Sequence, residues 1–378
     1  MTLAKHVVSQ RAPEHPSAQP IPPTMGRPQI QSIAAAQKIS KRIAFVSTGG
    51  TIASISTDKY DLLDYNATDD RVTGKTIIQA TGIADLFANG ENDIVFTDAF
   101  KDPIDSTAIT AHTWLQLADT CYNVAAQTNV DGIVIGHGTA TLEETAWLLS
   151  LVTDLPIPIV VTGSMRPLNG ISSDAAANLV AAFRAAAAHT SAPQPDGPAV
   201  LVVLNDEIHS PRCVAKTHTL RLGAFQSPWC GGPVGLVDGD AVNLLRRVPH
   251  HGVFFDRALL RDLPRVDVVY SYVGADGTAV EAFVEAGARG IVSAGFGPGL
   301  GSPQETEAFA KAVEAGVVVV QSSRVGAGTV VDSRKHRRLG IVAGNDLNPQ
   351  KARLLLALCL AAGHDREPGK IESVFRSV

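Results

Sequence analysis

Arg42-Ile43-Ala44-Phe45-Val46, followed at once by Ser47-Thr48-Gly49-Gly50-Thr51, is the stretch on which the fold turns. A short apolar run of β-formers without polar alternation is the pattern of a strand buried on both faces. The paired glycines behind it permit a tight turn, so the chain leaves the strand abruptly, at a hydroxyl. The same texture returns at Ile94-Val95-Phe96, Gly132-Ile133-Val134-Ile135, Ile157-Pro158-Ile159-Val160-Val161 and Val200-Leu201-Val202-Val203-Leu204. Helical patterns lie between these runs, over Ala111–Val124, Leu142–Leu151 and Asp174–Ala188. Buried strands alternating with amphipathic helices predict an α/β domain built on a parallel sheet covered on both faces.

The alternation resumes on a smaller scale after Arg261. Strands are expected at Val266–Tyr270, Gly290–Ser293 and Val317–Val320, and helices at Ala279–Ala288, Ser302–Ala315 and Asn348–Ala362. A chain of 378 residues exceeds what one hydrophobic core usually supports. The expected organisation is a flexible extension over residues 1–40, a larger N-terminal α/β domain over 41–238, a linker over 239–261, and a smaller C-terminal α/β domain over 262–378. The extension is Pro-rich and polar, as in Pro20-Ile21-Pro22-Pro23, and lacks the apolar core of a signal peptide.

Composition excludes several classes of function. A net charge of −5 builds no basic field for nucleic acid, and the basic run Arg334–Arg338 reads as a solvated face. No continuous apolar stretch reaches the length of a membrane span. Cys121, Cys213, Cys230 and Cys359 are scattered without CxxC spacing, so they read as ordinary thiols of a reducing, cytoplasmic compartment. The histidines are equally dispersed, and neither a metal nor another cofactor is expected.

Ligands of open parallel sheets bind where strands end, and three polar clusters fall there. Thr48-Gly49-Gly50-Thr51-Ile52-Ala53 presents a hydroxyl and backbone N–H groups together, as a nucleophile with an oxyanion hole requires. A phosphate-cradling or purely structural turn is the alternative, although no Walker A sequence follows. In Gly136-His137-Gly138-Thr139-Ala140-Thr141-Leu142-Glu143-Glu144, the spacing of Thr141 and Glu144 predicts a capping box. That leaves Thr139 at the strand end facing the cleft, with His137 a hydrogen-bonded structural residue. The third cluster is Asn205-Asp206 with Ala215-Lys216-Thr217 behind it. Lys216 is either a solvated surface group or, in a dry cleft, a proton acceptor.

Taken together, in order and spacing, these clusters resemble the bacterial asparaginase/glutaminase family from about Arg42 to the C-terminus. Supporting matches are Gly163-Ser164-Met165-Arg166-Pro167, Ser322-Ser323-Arg324-Val325 and Leu347-Asn348-Pro349-Gln350-Lys351-Ala352-Arg353. The resemblance implies a two-domain fold and a small-molecule amide substrate. It implies a homo-oligomer, a dimer of dimers, with each site completed by a neighbour's C-terminal domain. It places the nucleophile on Thr51, the mobile-loop tyrosine on Tyr65 with Tyr60 as the alternative, the second threonine on Thr139 and the lysine on Lys216. Substrate-binding positions fall on Gly50, Ser106, Thr107, Gly138, Ala140 and Ser164.

The chain also departs from the family pattern. Ala140 stands where the family carries an aspartate that pairs with the lysine and binds the substrate ammonium. Pro298 and Leu300 stand where the family tends to carry asparagines, and Lys335 aligns with a glutamate position. A buried ammonium without carboxylates costs several kcal/mol. The expected substrate is therefore an amide, lactam or imide lacking a free α-amino group. Ordinary asparaginase or glutaminase activity and a catalytically silent ligand-binding paralogue are the alternatives.

Overall fold

The computed structural model describes residues 37–65, 70–191, 200–248 and 254–378. The extension lies outside the described residues up to residue 36. Within its last residues Ile39 is buried and bridges Phe87, so the chain is pinned to the body before residue 41.

The first sheet takes β1 (Ile43–Ser47), β2 (Ile94–Asp98), β3 (Gly132–Gly136), β4 (Ile159–Thr162), β5 (Val200–Leu204) and β6 (Glu207–His209). After a separate hairpin of β7 (Ala215–Lys216) and β8 (Phe225–Gln226), it adds β9 (Gly235–Asp238) and β10 (Ala241–Leu244). The order across it is β10-β9-β6-β5-β4-β3-β1-β2. From β2 to β5 all neighbours are parallel, and every residue of β1, β3 and β5 is buried, as their continuous apolar runs require.

The parallel sheet expected for this domain is in fact mixed. Strands β6, β9 and β10 are joined by antiparallel pairings. The reason is local: Asn205 and Asp206 both adopt positive φ, 51° and 62°, forming a two-residue turn that folds β6 straight back onto β5. The stretch expected as a linker likewise contributes β10, paired to β9 across the turn at Gly239.

Helices α1 (Gly74–Thr81), α2 (Ala111–Gln127), α3 (Leu142–Val152) and α4 (Ala175–Ser191) accompany the first sheet. The second sheet is wholly parallel, in the order β11 (Val266–Tyr270), β12 (Gly290–Gly295), β13 (Val318–Ser323) and β14 (Val342–Ala343). With it go α5 (Thr278–Glu285), α6 (Pro303–Glu314), α7 (Arg334–Arg338), α8 (Pro349–Ala361) and α9 (Lys370–Ser377). Helix α6 starts with a full capping box between Ser302 and Glu305, with Pro303 in its first turn.

The capping box expected at Thr141 is not formed. Thr141 has ψ of 15° instead of the extended value of a capping residue, and its hydroxyl donates to the Ser106 carbonyl at 2.8 Å. It ties two loops together instead of capping α3.

The two sheets share one apolar core. Trp147 of α3 is fully buried in the same cluster as Leu354, Leu355 and Leu358 of α8, and its indole N–H donates to the Lys351 carbonyl at 3.3 Å. Cys213 and Cys230 form a disulfide, which corrects the expectation of four free thiols. Spacing could not reveal this bond: the antiparallel pairing of β7 with β8 brings the residues flanking the hairpin together. Cys121 and Cys359 remain as buried thiols.

Candidate active site

The sheet order reverses at β1. The chain passes from β1 to β2 on one side, and then to β3 and β4 on the other. A crevice opens where successive connections leave in opposite directions, at the carboxyl ends of β1 and β3. Gly49 and Gly50, with φ of 108° and 74°, turn the chain there, and the Gly50 N–H is taken by the Ile104 carbonyl at 2.8 Å. A Cβ on Gly50 would lie 2.1 Å from the Gly138 Cα, and one on Gly138 would lie 2.6 Å from Ser106 Oγ. The loops behind β1, β2 and β3 thus touch through bare backbone. This contact brings together the turns that lead into Thr51 and Thr139, each following its glycine.

Two hydrogen-bonded pairs result. The Thr51 hydroxyl lies 2.8 Å from the Tyr65 hydroxyl, while Tyr60 is 67% exposed and takes no part. Thr139, buried at the strand end, accepts from Lys216 Nζ at 2.8 Å. Burial holds the Lys216 ammonium below the usual lysine range, and the charge of Glu143 pulls it partly back. A lysine so placed gives up its proton more readily than a solvated one.

The remaining expected positions divide. Ser106 is buried with its Oγ accepting the Ala140 N–H at 3.2 Å, and Ala140 itself is exposed. Thr107 is exposed, its hydroxyl donating to Asp105 at 2.9 Å. Ser164 is fully buried, and its hydroxyl donates to the Arg166 carbonyl at 2.6 Å, so the structure sets it inside the loop behind β4 and not on the surface of the crevice. His137 is fully buried, its ring nitrogen Nδ1 lies 2.7 Å from the Gly138 carbonyl, and burial pushes it down to about 4. It is a neutral structural histidine. Among the described residues no group of three His, Cys, Asp or Glu side chains is placed to hold a metal ion.

Sequence reasoning missed the residues behind Lys216. Glu143 accepts the Lys216 N–H at 2.6 Å and also binds Asn348 and Gln350, while the fully buried Lys351 donates to the carbonyls of Arg212 and Val214. A signal existed for Lys351. It falls on the same helical face as Leu354, Leu355 and Leu358, where a solvated lysine does not belong. On the far side of Lys216 a cavity of about 470 Å³ opens between the lobes, with Trp229, Tyr270, Arg324, Asn348 and Gln350 in its walls.

Comparison with known proteins identifies the family. The family model described as "Asparaginase, N-terminal" matches residues 42–250, and "Glutaminase/Asparaginase C-terminal domain" matches residues 265–375. The chain belongs to the asparaginase family. It is therefore a hydrolase acting on carbon–nitrogen bonds other than peptide bonds. Among its relatives is the protein named L-asparaginase 2 of Bacillus subtilis, 37% identical over 354 residues, covering 92% of this chain and 90% of the relative. L-asparaginase 2 of Escherichia coli is 35% identical over 341 residues, covering 88% and 92%. The crystal structure of a probable cytoplasmic L-asparaginase from Campylobacter jejuni superimposes with a TM-score of 0.80 at 35% identity. The match covers 90% of this chain and all of that one. Family membership accounts for the two lobes as well as for the small-molecule amide chemistry.

Proposed function

We propose that Thr51 is the nucleophile of an acyl-transfer hydrolysis, with Tyr65, Thr139 and Lys216 as its partners. The observation that carries this is the pair of hydrogen-bonded couples, Thr51 with Tyr65 and Thr139 with Lys216, on adjoining strand ends. Thr51 Oγ1 attacks the amide carbonyl carbon, its proton passing by way of the Tyr65 oxygen to the amide nitrogen. The carbon–nitrogen bond breaks to leave an acyl-enzyme and a neutral nitrogen leaving group, ammonia where the substrate is a primary amide. Water held at Thr139 then attacks the ester, giving its proton to neutral Lys216, from which a proton returns to Thr51 Oγ1 as the acid departs. Ser106 and Thr107, with the backbone of Gly50 and Gly138, form the substrate-facing wall.

The substrate we assign is an amide, lactam or imide without a free α-ammonium group. Ala140 offers the crevice a methyl, and no carboxylate stands at that position to offset the desolvation of a cation. The names of the relatives favour a second reading, hydrolysis of asparagine itself. Ammonia release from asparagine, glutamine and α-N-blocked primary amides, with carboxylate formation from lactams and imides, whose nitrogen stays on the opened product, separates the two, run on wild type and Thr51→Ala. The expected result is turnover of the panel compounds, little from asparagine, and a loss of roughly 10³-fold or more in Thr51→Ala. Equal activity in Thr51→Ala would remove the threonine mechanism.

A homo-oligomer is proposed with it. Tyr270, Tyr272, Val273, Leu300, Val325 and Val331 are large exposed apolar side chains at or beyond the ends of β11, β12 and β13, whose parallel pairing gathers them at one end of the second sheet. Such a patch favours burial against another copy. The thiol argument for a cytoplasmic location loses force now that two of the four cysteines are paired. Among the described residues no helix is long and apolar enough to cross a membrane.

A further inference from the structure

Lys216 is gripped through its backbone as well as its side chain. Its N–H donates to one oxygen of Glu143, and the other oxygen accepts from Asn348 Nδ2 at 3.1 Å and from Gln350 Nε2. Glu143 stands in the first turn of α3, one turn beyond Ala140, and is only 5% exposed. Three donors bind it among the described residues, which suits a carboxylate acting purely as acceptor. From the other side Lys351, at the start of α8, donates to the carbonyls of Arg212 and Val214, and Arg212 makes a bidentate pair with Asp346 at 2.6 and 3.1 Å. The segment from Arg212 to Lys216 is thus clamped between the two lobes.

We infer that Glu143, anchored by Asn348 and Gln350 of the second lobe, is the positioning residue of Lys216, holding its backbone in the crevice and supplying the negative charge beside it. The inference rests on reading Lys216 as the proton acceptor. A purely structural tie to a backbone N–H needs only a neutral acceptor, and a buried charge is a costly way to provide one. The other charged or titratable groups near the pair are Glu144 on α3, Tyr270 and Arg324 across the cavity, and Lys351 and Arg353 on α8. Of these and Glu143, it is the charge of Glu143 that bears on Lys216, opposing the effect of burial.

The consequence is that the second lobe takes part in tuning the site. Ala140 adjoins Thr139, whose hydroxyl holds the Lys216 amine, so an Asp introduced there adds a negative charge to the neighbourhood of the same amine. Glu143 and an introduced Asp at 140 therefore act in the same direction, and their effects on Lys216 offset when one is removed as the other is added.

The test reads Lys216 directly in the full chain. Its rate of modification by trinitrobenzenesulfonate, which attacks only neutral amines, is followed by peptide mass spectrometry between about pH 6 and about pH 11. Glu143→Gln moves the midpoint of reactivity down by about one pH unit, Glu143→Asp by a smaller step, and Ala140→Asp moves it up. The double variant Ala140→Asp/Glu143→Gln returns toward wild type, and the acidic limb of kcat/KM on the amide substrate follows the same order. A Lys216 midpoint in Glu143→Gln that matches wild type, with only thermal stability lowered, overturns the inference. Where Glu143→Gln does not fold, an unmoved midpoint in Glu143→Asp does the same. Failure of the hydrolase reading shows separately, as an active Thr51→Ala enzyme, and leaves the Lys216 titration to be judged on its own.

Discussion

The contact between Gly50 and Gly138 is the feature on which both hydroxyl pairs depend, and Gly50→Ala tests it. Gly50 adopts φ 74° and ψ −169°, a region open essentially to glycine alone, so a side chain there costs about 3 kcal/mol of backbone strain. Its Cβ would also lie 2.1 Å from the Gly138 Cα and 2.4 Å from the Gly138 N. Both atoms are backbone, so nothing flexible yields, and pushing the strand ends apart costs a further ~1–3 kcal/mol. The sum is about 4–6 kcal/mol. Gly82→Ala is the control: φ is 68° there too, but no atom lies within 4 Å of the added Cβ, so left-handed strain of ~1–2 kcal/mol is the whole cost. At about 2 °C per kcal/mol, Gly50→Ala lowers the melting midpoint by about 10 °C and Gly82→Ala by about 2–4 °C. Calorimetry measures the midpoints, and ammonia-release kinetics on the folded fraction measure the site. The close contact predicts that Gly50→Ala also loses about 100-fold or more in kcat/KM, because Thr51 is displaced from Thr139 and Lys216 by a sizeable part of an ångström. Gly82→Ala keeps wild-type kinetics. If Gly50→Ala were no more damaging than Gly82→Ala in either measurement, the idea that bare backbone contact aligns the two pairs would be wrong.

Acid should weaken the fold through His137. Its folded value of about 4 lies below the ordinary 6.5 because burial opposes the charged form, so between those values the unfolded chain holds a proton that the folded one does not. Stability from this group is complete above about pH 6.5, is lost progressively as pH falls to about 4, and changes no further below that, a total of about 3 kcal/mol. Urea denaturation across this range shows a shallower pH dependence in His137→Gln than in wild type, and an unchanged slope refutes the assignment. The Cys213–Cys230 bond closes a loop of sequence separation 17, and Cys213→Ser/Cys230→Ser should lower the unfolding free energy by about 3 kcal/mol. Guanidinium denaturation of wild type with a reductant should fall to the value of that double variant; wild-type stability indifferent to reductant would mean that the thiols are not paired.

Much of the architecture was legible along the chain. The continuous apolar runs at Ile43-Ala44-Phe45-Val46, Gly132–Gly136 and Val200–Leu204 are buried strands, because a strand covered on both faces favours apolar side chains at every position. Where the first two of these strands end, Thr51 and Thr139 stood out as hydroxyls behind glycines, whereas a role for Lys216 came only from the family resemblance. Tertiary structure alone decided the rest. The turn at Asn205-Asp206 reversed the chain and made the sheet mixed, and the β7–β8 hairpin joined two cysteines that spacing kept apart. Ser164, beside a glycine like the others, turned inward to Arg166. Glu143 met Lys216, Asn348 and Gln350 across 73, 205 and 207 residues of sequence. Local pattern records which face a residue presents and how the backbone bends there. Which distant partner waits at that face is settled only when the lobes pack, because burial then requires every polar group in the seam to find a complement.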